Sequence, residues 1–320
     1  MTTTITSNTL RQKKYITHRH PNNPILTAAD FPNDIVTAFN AGVIKHNDQY
    51  FMVCRTEDSA LGRYMWVCDS TDGINFTPRP EPLRMPTHDP VFMKYVHPTK
   101  SYWDPRIVRL DNTFYITHAA DVTNGQTCQL GLFKIDDDFN QLDWLGLISL
   151  PDNRNAVLFP DKIGGAYYRL DRPNDNSFDI WLSSSPDLIH WGNHRRVIAK
   201  KDVFWSDQKI GPGSVPIKTP HGWLCIIHGV RRQCTDQVYS LGAMLLDLDD
   251  PSKVLGISQR AILAPETTYE LIGQSPSVVF TNGSILEPDG TVRIYYGAAD
   301  TVLGLATASL DDLIHACLYE

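Results

Sequence analysis

Short runs of alternating apolar and polar residues recur along the chain, each closed by Gly, Asn, Asp or Pro. Five of them read alike: VIKHNDQYFMVCR (43–55), RIVRLDNTFYITHA (106–119), LFPDKIGGAYYRL (158–170), VPIKTPHGWLCIIHG (215–229) and SILEPDGTVRIYYGAA (284–299). A period of two puts every second side chain on one face, the mark of a half-buried strand. The interruptions HNDQ, DNT, GG, PHG and PDG carry hairpin chemistry, so each run predicts strand, turn, strand. A second hairpin-like segment with an Asp-rich turn follows several of them: RYMWVCDSTDGINF (63–76), LGLFKIDDDFNQLDWLG (130–146), FDIWLSSSPDLIHWG (178–192) and GAMLLDLDDPSKVLG (242–256). Long helical periodicity is scarce.

The units begin near Asn40, Trp103, Asn155, Lys209 and Ser277. A four-stranded unit repeated every roughly 50–70 residues is the signature of a propeller blade. The expectation is therefore an all-β chain: a five-bladed β-propeller over residues 36–320 behind an N-terminal arm, residues 1–35. A large β-sandwich is the alternative. The segment SLDDLIHACLYE (309–320) reads as a last strand or a short helix that closes the ring. In a propeller the innermost strands line one channel, so their leading residues converge from distant parts of the chain. Those heads are polar here: Asn40, Asp104 with Arg106, Arg154 with Asn155, Lys209, and Asp300 after the last strand.

Charge narrows the chemistry. The net charge of -7 over 320 residues argues against a nucleic-acid backbone as ligand. Any anion must be held by a local cluster of Arg, Lys and His. The six cysteines form no C-x-x-C pair, so neither a zinc site nor a disulfide framework is expected, and most should be reduced and packed. The opening residues MTTTITSNTLRQKKY lack an apolar core segment, and no long apolar run follows. A soluble cytoplasmic protein without membrane partners is expected, and the arm is a candidate for homo-oligomer contacts.

The stretch SYWDPRIVRL (101–110) sets an Asp at the head of a strand. Pro105 favours an extended Asp104, which would point Arg106 to the same side. Asp104 then reads either as an acid in the channel or as a turn residue paired with Arg106. A second cluster, PDNRNAVLFP (151–160) with YYRLDRP (167–173), brings Arg154, Asn155, Arg169 and Arg172. A third joins Lys209, before IGPGS, to His228 at the end of an apolar strand. Singly, these are ordinary surface cations and a core histidine. Together, Arg154, Arg172, Lys209 and His228 would form a cationic pocket, and an Arg fork suits phosphate. No P-loop pattern occurs, so free phosphate or a sugar phosphate fits better than a nucleotide. Trp66, Trp103, Tyr168 and Tyr239 would serve for stacking on sugar rings.

These motifs resemble glycoside hydrolase family 130, the β-mannoside phosphorylases and related β-mannosidases. The resemblance rests on NPIL (23–26), FNAGVI (39–44), RTED (55–58), STDGINF (70–76), WDPRIVRLDNTFYITHAA (103–120), PDNRNAVLFPDKIGGAYYRLDRP (151–173), FDIWLSSSPDLIHWG (178–192), KIGPGSVPI (209–217) and YYGAAD (295–300). It implies a five-bladed β-propeller with Asp104 as general acid. It implies a phosphate set of Arg154, Asn155, Arg172, Lys209 and His228. Asn40, Arg55, Trp103 and Asp300 would contact the sugar. The reaction implied is inverting phosphorolysis of a terminal β-mannoside to α-mannose 1-phosphate, with inorganic phosphate as co-substrate and neither cofactor nor metal. The D-N-R-N and Y-x-R-L-x-R-P forms resemble the branch that uses β-1,4-linked mannosides; β-1,2-linked mannosides are the alternative. The chain departs from the family pattern at Gly62-Arg63-Tyr64, at Trp103 and at SPSVVFTNG (275–283), changes expected on the acceptor side.

Two other functions compete. A hydrolase of the same fold would need further carboxylates in the funnel, for which Glu57, Asp58, Asp207 and Glu266 are candidates. A non-catalytic sugar-binding propeller would be marked by loss of Asp104, which is present.

Overall fold

The computed structural model describes residues 15–32, 34–95, 102–122, 127–234 and 236–319, and their strands form five antiparallel sheets. Each sheet is one blade of a β-propeller. Blade 1 runs Ile35–His46, Gln49–Asp58, Arg63–Ser70, Thr77–Pro78. Blade 2 runs Tyr102–Leu110, Thr113–Val122, Thr127–Ile135, Leu142–Leu147. Blade 3 runs Asn153–Leu158, Tyr167–Pro173, Ile180–Ser185, Gly192–Ile198. Blade 4 runs Lys209–Pro212, Gly222–Arg232, Gln237–Leu246, Val254–Ile257, with the short strand Ile217–Thr219 also on its second strand. Blade 5 runs Val279–Leu286, Thr291–Ala298, Val302–Ser309 and, last, His18–Arg19. The first strands of blades 5 and 1, 1 and 2, 2 and 3, and 3 and 4 touch, and the first strand of blade 5 meets the second strand of blade 4, so these strands form the inner wall.

The turns behave as their residues dictate. Asn47 and Asp48 have φ of 50° and 58°, and Asp111 and Asn112 have 48° and 60°. Two consecutive left-handed residues make the two-residue hairpin whose twist matches its strands, and Asn and Asp tolerate that region best. Between the third and fourth strands of four blades, one Asp accepts successive backbone N–H groups. Asp72 takes Ile74 and Asn75, and Asp136 takes Asn140 and Gln141. Asp187 takes Ile189 and His190, and Asp247 takes Asp249 and Asp250. These carboxylates are the Asp-rich turns of the sequence pattern, and they are structural.

The ring is closed by the N-terminal segment. Residues 1–14 of the expected arm lie outside the described residues. His18 pairs with Thr307 and Arg19 with Ala306, which gives blade 5 its outer strand. The amides of His20 and Ile25 continue the attachment to the carbonyls of Leu305 and Leu303, both at 2.8 Å. Arg19 adds an ion pair to the buried Glu270 at 2.7 Å. The C-terminal segment is a helix, Leu310–Tyr319, that buries Leu313, Ile314, Ala316 and Cys317 against blades 4 and 5. Cys54, Cys68, Cys128, Cys225 and Cys317 are free and buried, and Cys234 is free and exposed. No helix among the described residues is long and apolar enough to cross a membrane.

Candidate active site

One irregularity, repeated, builds the site. The first strand of blades 1, 2, 3 and 5 carries one extra residue against its partner, between Phe39 and Gly42, Trp103 and Arg106, Arg154 and Val157, and Thr281 and Gly283. A bulge of this kind re-aims a side chain that the pleat would send elsewhere. In the first three blades the bulge holds a left-handed residue: Asn40 at φ 50°, Asp104 at 53° and Asn155 at 63°. Asp104 is therefore not extended, contrary to the expectation from Pro105. Arg106 does not share its side either. Arg106 is buried, donates from Nε to the Gly213 carbonyl at 2.6 Å and from Nη1 to the Asp104 carbonyl at 2.9 Å, and so clamps the bulge from behind. Burial pulls the Arg106 guanidinium down to about 10, so it remains a cation at neutral pH.

Asn40, Arg55, Trp103, Asp104, Arg154, Asn155, Arg172 and Asp300 together line a cavity of about 180 Å³ on the propeller axis. Tyr239, Ser275, Val278 and Phe280 complete its wall. Asn40 Nδ2 donates to Asp104 Oδ1 at 2.8 Å, and Arg55 Nη1 stands 3.8 Å from the same oxygen. Arg55 also pairs with Glu57. Its guanidinium lies 4.1 Å from the Trp103 ring, and that of Arg63 lies 3.7 Å from it. The indole is thus an anchor between two cations rather than a loose flap. Burial pushes the Asp300 carboxyl up, with Asp104 and Glu57 adding to the effect and Ser275 and Arg55 opposing it.

The opposite side of the cavity is cationic. Among the described residues neither Arg154 nor Arg172 forms a salt bridge, and the Nε of each is buried without a hydrogen-bond acceptor. Burial opposes the charge on Arg154, but Cys128, Asp104, Asp121 and Asp152 outweigh it and raise its pKa; Arg172 is lowered by burial. His228 is fully buried and does not line the cavity. Its Nε2 lies 3.3 Å from Arg172 Nη1 and 3.5 Å from Asn155 Nδ2. Both neighbours are donors, so Nε2 is the acceptor and the ring proton sits on Nδ1. Burial, then Arg172, pushes His228 well below its ordinary value, which keeps the ring neutral and fit for this role. Lys209 does not line the cavity either; burial lowers its pKa, and Arg172 and Arg154 lower it further, which places it in the same positive field. Neither of these two residues, both expected at the anion, lines the cavity, and His228 contacts Arg172 and Asn155, which do.

A second lobe of about 210 Å³ opens from the first and shares Arg55, Trp103, Ser275 and Asp300. Phe39, Glu57, Leu61, Arg63 and Gln274 line it. Glu57 is held ionised there: burial opposes the charge, but Arg55, Gln274 and Arg63 win and lower its pKa.

Other expectations need correcting. Trp66 is buried in the core, edge-on to Phe31, and Tyr168 packs edge-on against Phe159; neither stands at the mouth. Only Trp103 and Tyr239 of the four aromatics line the cavity. Of the carboxylates weighed for a hydrolase, Asp58 caps its own loop at Ala60 and Gly62. Asp207 accepts from the Arg232 amide, and Glu266 pairs with Arg19. Ser275 and Phe280 line the cavity but carried no signal beyond lying in the divergent stretch 275–283. Among the described residues no His, Cys, Asp or Glu cluster has the makings of a metal site.

Comparison with known proteins bears on the family and the fold. A family model described as β-1,4-mannooligosaccharide phosphorylase matches residues 10–319. A β-1,4-mannooligosaccharide phosphorylase from Ruminococcus albus is 32% identical over 315 residues, covering 94% of this chain and 90% of its own. A β-1,2-mannobiose phosphorylase from Listeria innocua is 35% identical over 255 residues, covering 79% of this chain and 68% of its own. The solved structure of a β-1,2-mannobiose phosphorylase from Listeria innocua with β-1,2-mannobiose superposes with a TM-score of 0.84 at 28% identity, over 95% of this chain and 99% of that one.

Proposed function

Because the chain belongs to glycoside hydrolase family 130, the mannoside phosphorylases, we propose that it performs inverting phosphorolysis of a terminal β-mannoside, with β-1,4-linked substrates favoured. The observation that carries this reading is the pair Arg154 and Arg172, without a salt bridge among the described residues and each with an orphaned Nε, across one small cavity from Asp104. An orphaned buried guanidinium is costly unless a ligand completes it, and a dianion such as phosphate does so in a fork geometry. Asn155 adds a neutral donor to that side.

In the reaction, a phosphate oxygen forms the new bond to C1 of the mannosyl unit as the bond from C1 to the glycosidic oxygen breaks. That oxygen takes up a proton originating on Asp104, and α-mannose 1-phosphate leaves with the shortened acceptor. Phosphate brings its own nucleophilic oxygen, so the two-carboxylate arrangement of inverting glycosidases reduces to one acid and an anion clamp. Asn40 occupies Asp104 Oδ1, which leaves Oδ2 to carry the transferable proton. Asp300 and Arg55 border both lobes and serve the sugar hydroxyls, while the lobe at Arg63 and Gln274 takes the leaving sugar.

The β-1,4 preference is supported by the family description and by the D-N-R-N form at 152–155. The comparable identity to a β-1,2-mannobiose phosphorylase keeps the β-1,2 linkage as the second reading. Reverse phosphorolysis decides: α-mannose 1-phosphate with glucose, N-acetylglucosamine and mannose as acceptors should yield β-1,4 products. Exclusive β-1,2 products would reverse the linkage assignment. Asp104→Asn should lower turnover on the order of 10²–10⁴-fold while phosphate still binds. Undiminished turnover would remove Asp104 from the mechanism.

A further inference from the structure

A cleft larger than the catalytic cavity lies elsewhere in the molecule. It measures about 590 Å³ and lies between the edge of blade 2 at 147–151 and the second and third strands of blade 3. Strand alternation sets it back to back with the catalytic cavity. In the first hairpin of blade 3, Asn153 faces Pro173 and Arg154 faces Arg172. Asn153, Asp171 and Pro173 line the cleft, and Arg154 and Arg172 line the cavity.

The floor of the cleft is polar and built. Arg169 and Asp171 form a 2.8 Å ion pair with side chains 1% and 2% exposed. Asn153 is 8% exposed, and its Oδ1 is buried without a donor; the Trp181 Nε1 is buried without an acceptor. A hydroxyl both donates and accepts, so hydroxyl groups can satisfy either orphan. The lining carries Asp152, Asp171 and Asp175 against a single guanidinium that is already paired, and this balance rejects phosphate and sugar phosphates. The wall is apolar: Trp181, Trp191 backed by the Arg169 guanidinium at 4.4 Å, and Leu150, 84% exposed at the rim. Indole faces with a few fixed polar groups suit a neutral ligand that has apolar C–H faces and hydroxyl edges.

We propose that this cleft is a second, non-catalytic carbohydrate site that binds neutral β-mannooligosaccharides. The identity of the sugar rests on the phosphorylase reading; the site itself does not. The test is calorimetric titration of the whole chain without phosphate, using β-1,4-mannotriose and β-1,2-mannotriose as probes. The variants are Trp181→Phe, which deletes the indole N–H, and Leu150→Arg, a rim change at an exposed position that spares the fold. A binding event should weaken at least tenfold in Leu150→Arg or Trp181→Phe, while phosphorolysis of the matching mannobiose at saturating phosphate is unchanged. Isotherms for both sugars that stay within twofold of wild type in both variants, or absence of binding, would overturn the proposal. A cleft event that disappears in the variants of a chain with no phosphorolytic activity would instead sink the catalytic reading and leave this one standing.

Discussion

Asp104 and Arg172 show how much a single side chain depends on what its neighbours already hold. Asn40 fixes one oxygen of Asp104, and His228 accepts from one nitrogen of Arg172, whose Nε stays unmet. Each residue keeps polar groups for the ligand, the buried Nε of Arg172 among them. A charge-assisted hydrogen bond of this kind is worth about 1.5–3 kcal/mol. Arg172→Ala should therefore raise the phosphate KM on the order of 10–100-fold, with a smaller change in the mannoside KM. Initial rates over a phosphate series check it; an unchanged phosphate KM would move the anion elsewhere. Asp104 and Arg172 were legible in the sequence because D-P-R and Y-x-R-L-x-R-P are dense local patterns. His228 was legible as a residue but not as a support, because its burial and the donors around it come from another blade.

At the scale of the element, the bulge is the device. Three inner strands use the same extra residue to turn Asn40, Asp104 and Asn155 into the channel. Period-two reasoning located the strands but could not see the slip, which is why Asp104 was expected extended and beside Arg106. The fourth blade contributes by close approach. A methyl group on Gly211 would stand 2.5 Å from His228 Cε1 and 3.1 Å from Asn155 Nδ2, nearer than packed atoms tolerate. Gly211→Ala should displace His228 and Asn155 and raise the phosphate KM several-fold while the mannoside KM holds. If steady-state kinetics find the mannoside KM rising instead, Gly211 supports the sugar side and not the anion clamp.

The whole molecule carries its own pH dependence. His118 is buried in blade 2, stacked on Phe133 with ring centroids 4.7 Å apart. Burial pulls it down to about 4 from its ordinary 6.5, against the Ala119 carbonyl. The unfolded chain therefore takes up a proton below pH ~6.5 that the fold refuses until about pH 4. Stability is full above that window and falls as pH drops through it, by about 2 kcal/mol between pH 7.5 and 5. His228 acts in the same direction. The turn carboxylates Asp72 and Asp187 are held low by backbone N–H groups, so they withdraw support only below the ordinary carboxylate range and do not confuse this window. Urea unfolding of His118→Phe should lose less stability than wild type between pH 7.5 and 5. An identical loss would place the acid sensitivity elsewhere.

What the sequence determined by itself was local and repeated. Hairpin turns such as Asn47-Asp48, alternating strands and five units of similar length follow from φ preferences and the period of two, which need no distant partner. The dense motifs around Asp104 and Arg154 also named the chemistry. Only the tertiary structure decided which polar residues meet. Closing the ring brings the blades together, so Asn40 reaches Asp104 across 64 positions and Asn155 reaches His228 across 73. Closure also drew His18–Arg19 into blade 5 and sank Trp66 into the core, because an unpaired strand edge and an exposed indole each lose free energy that only a partner from elsewhere in the chain restores.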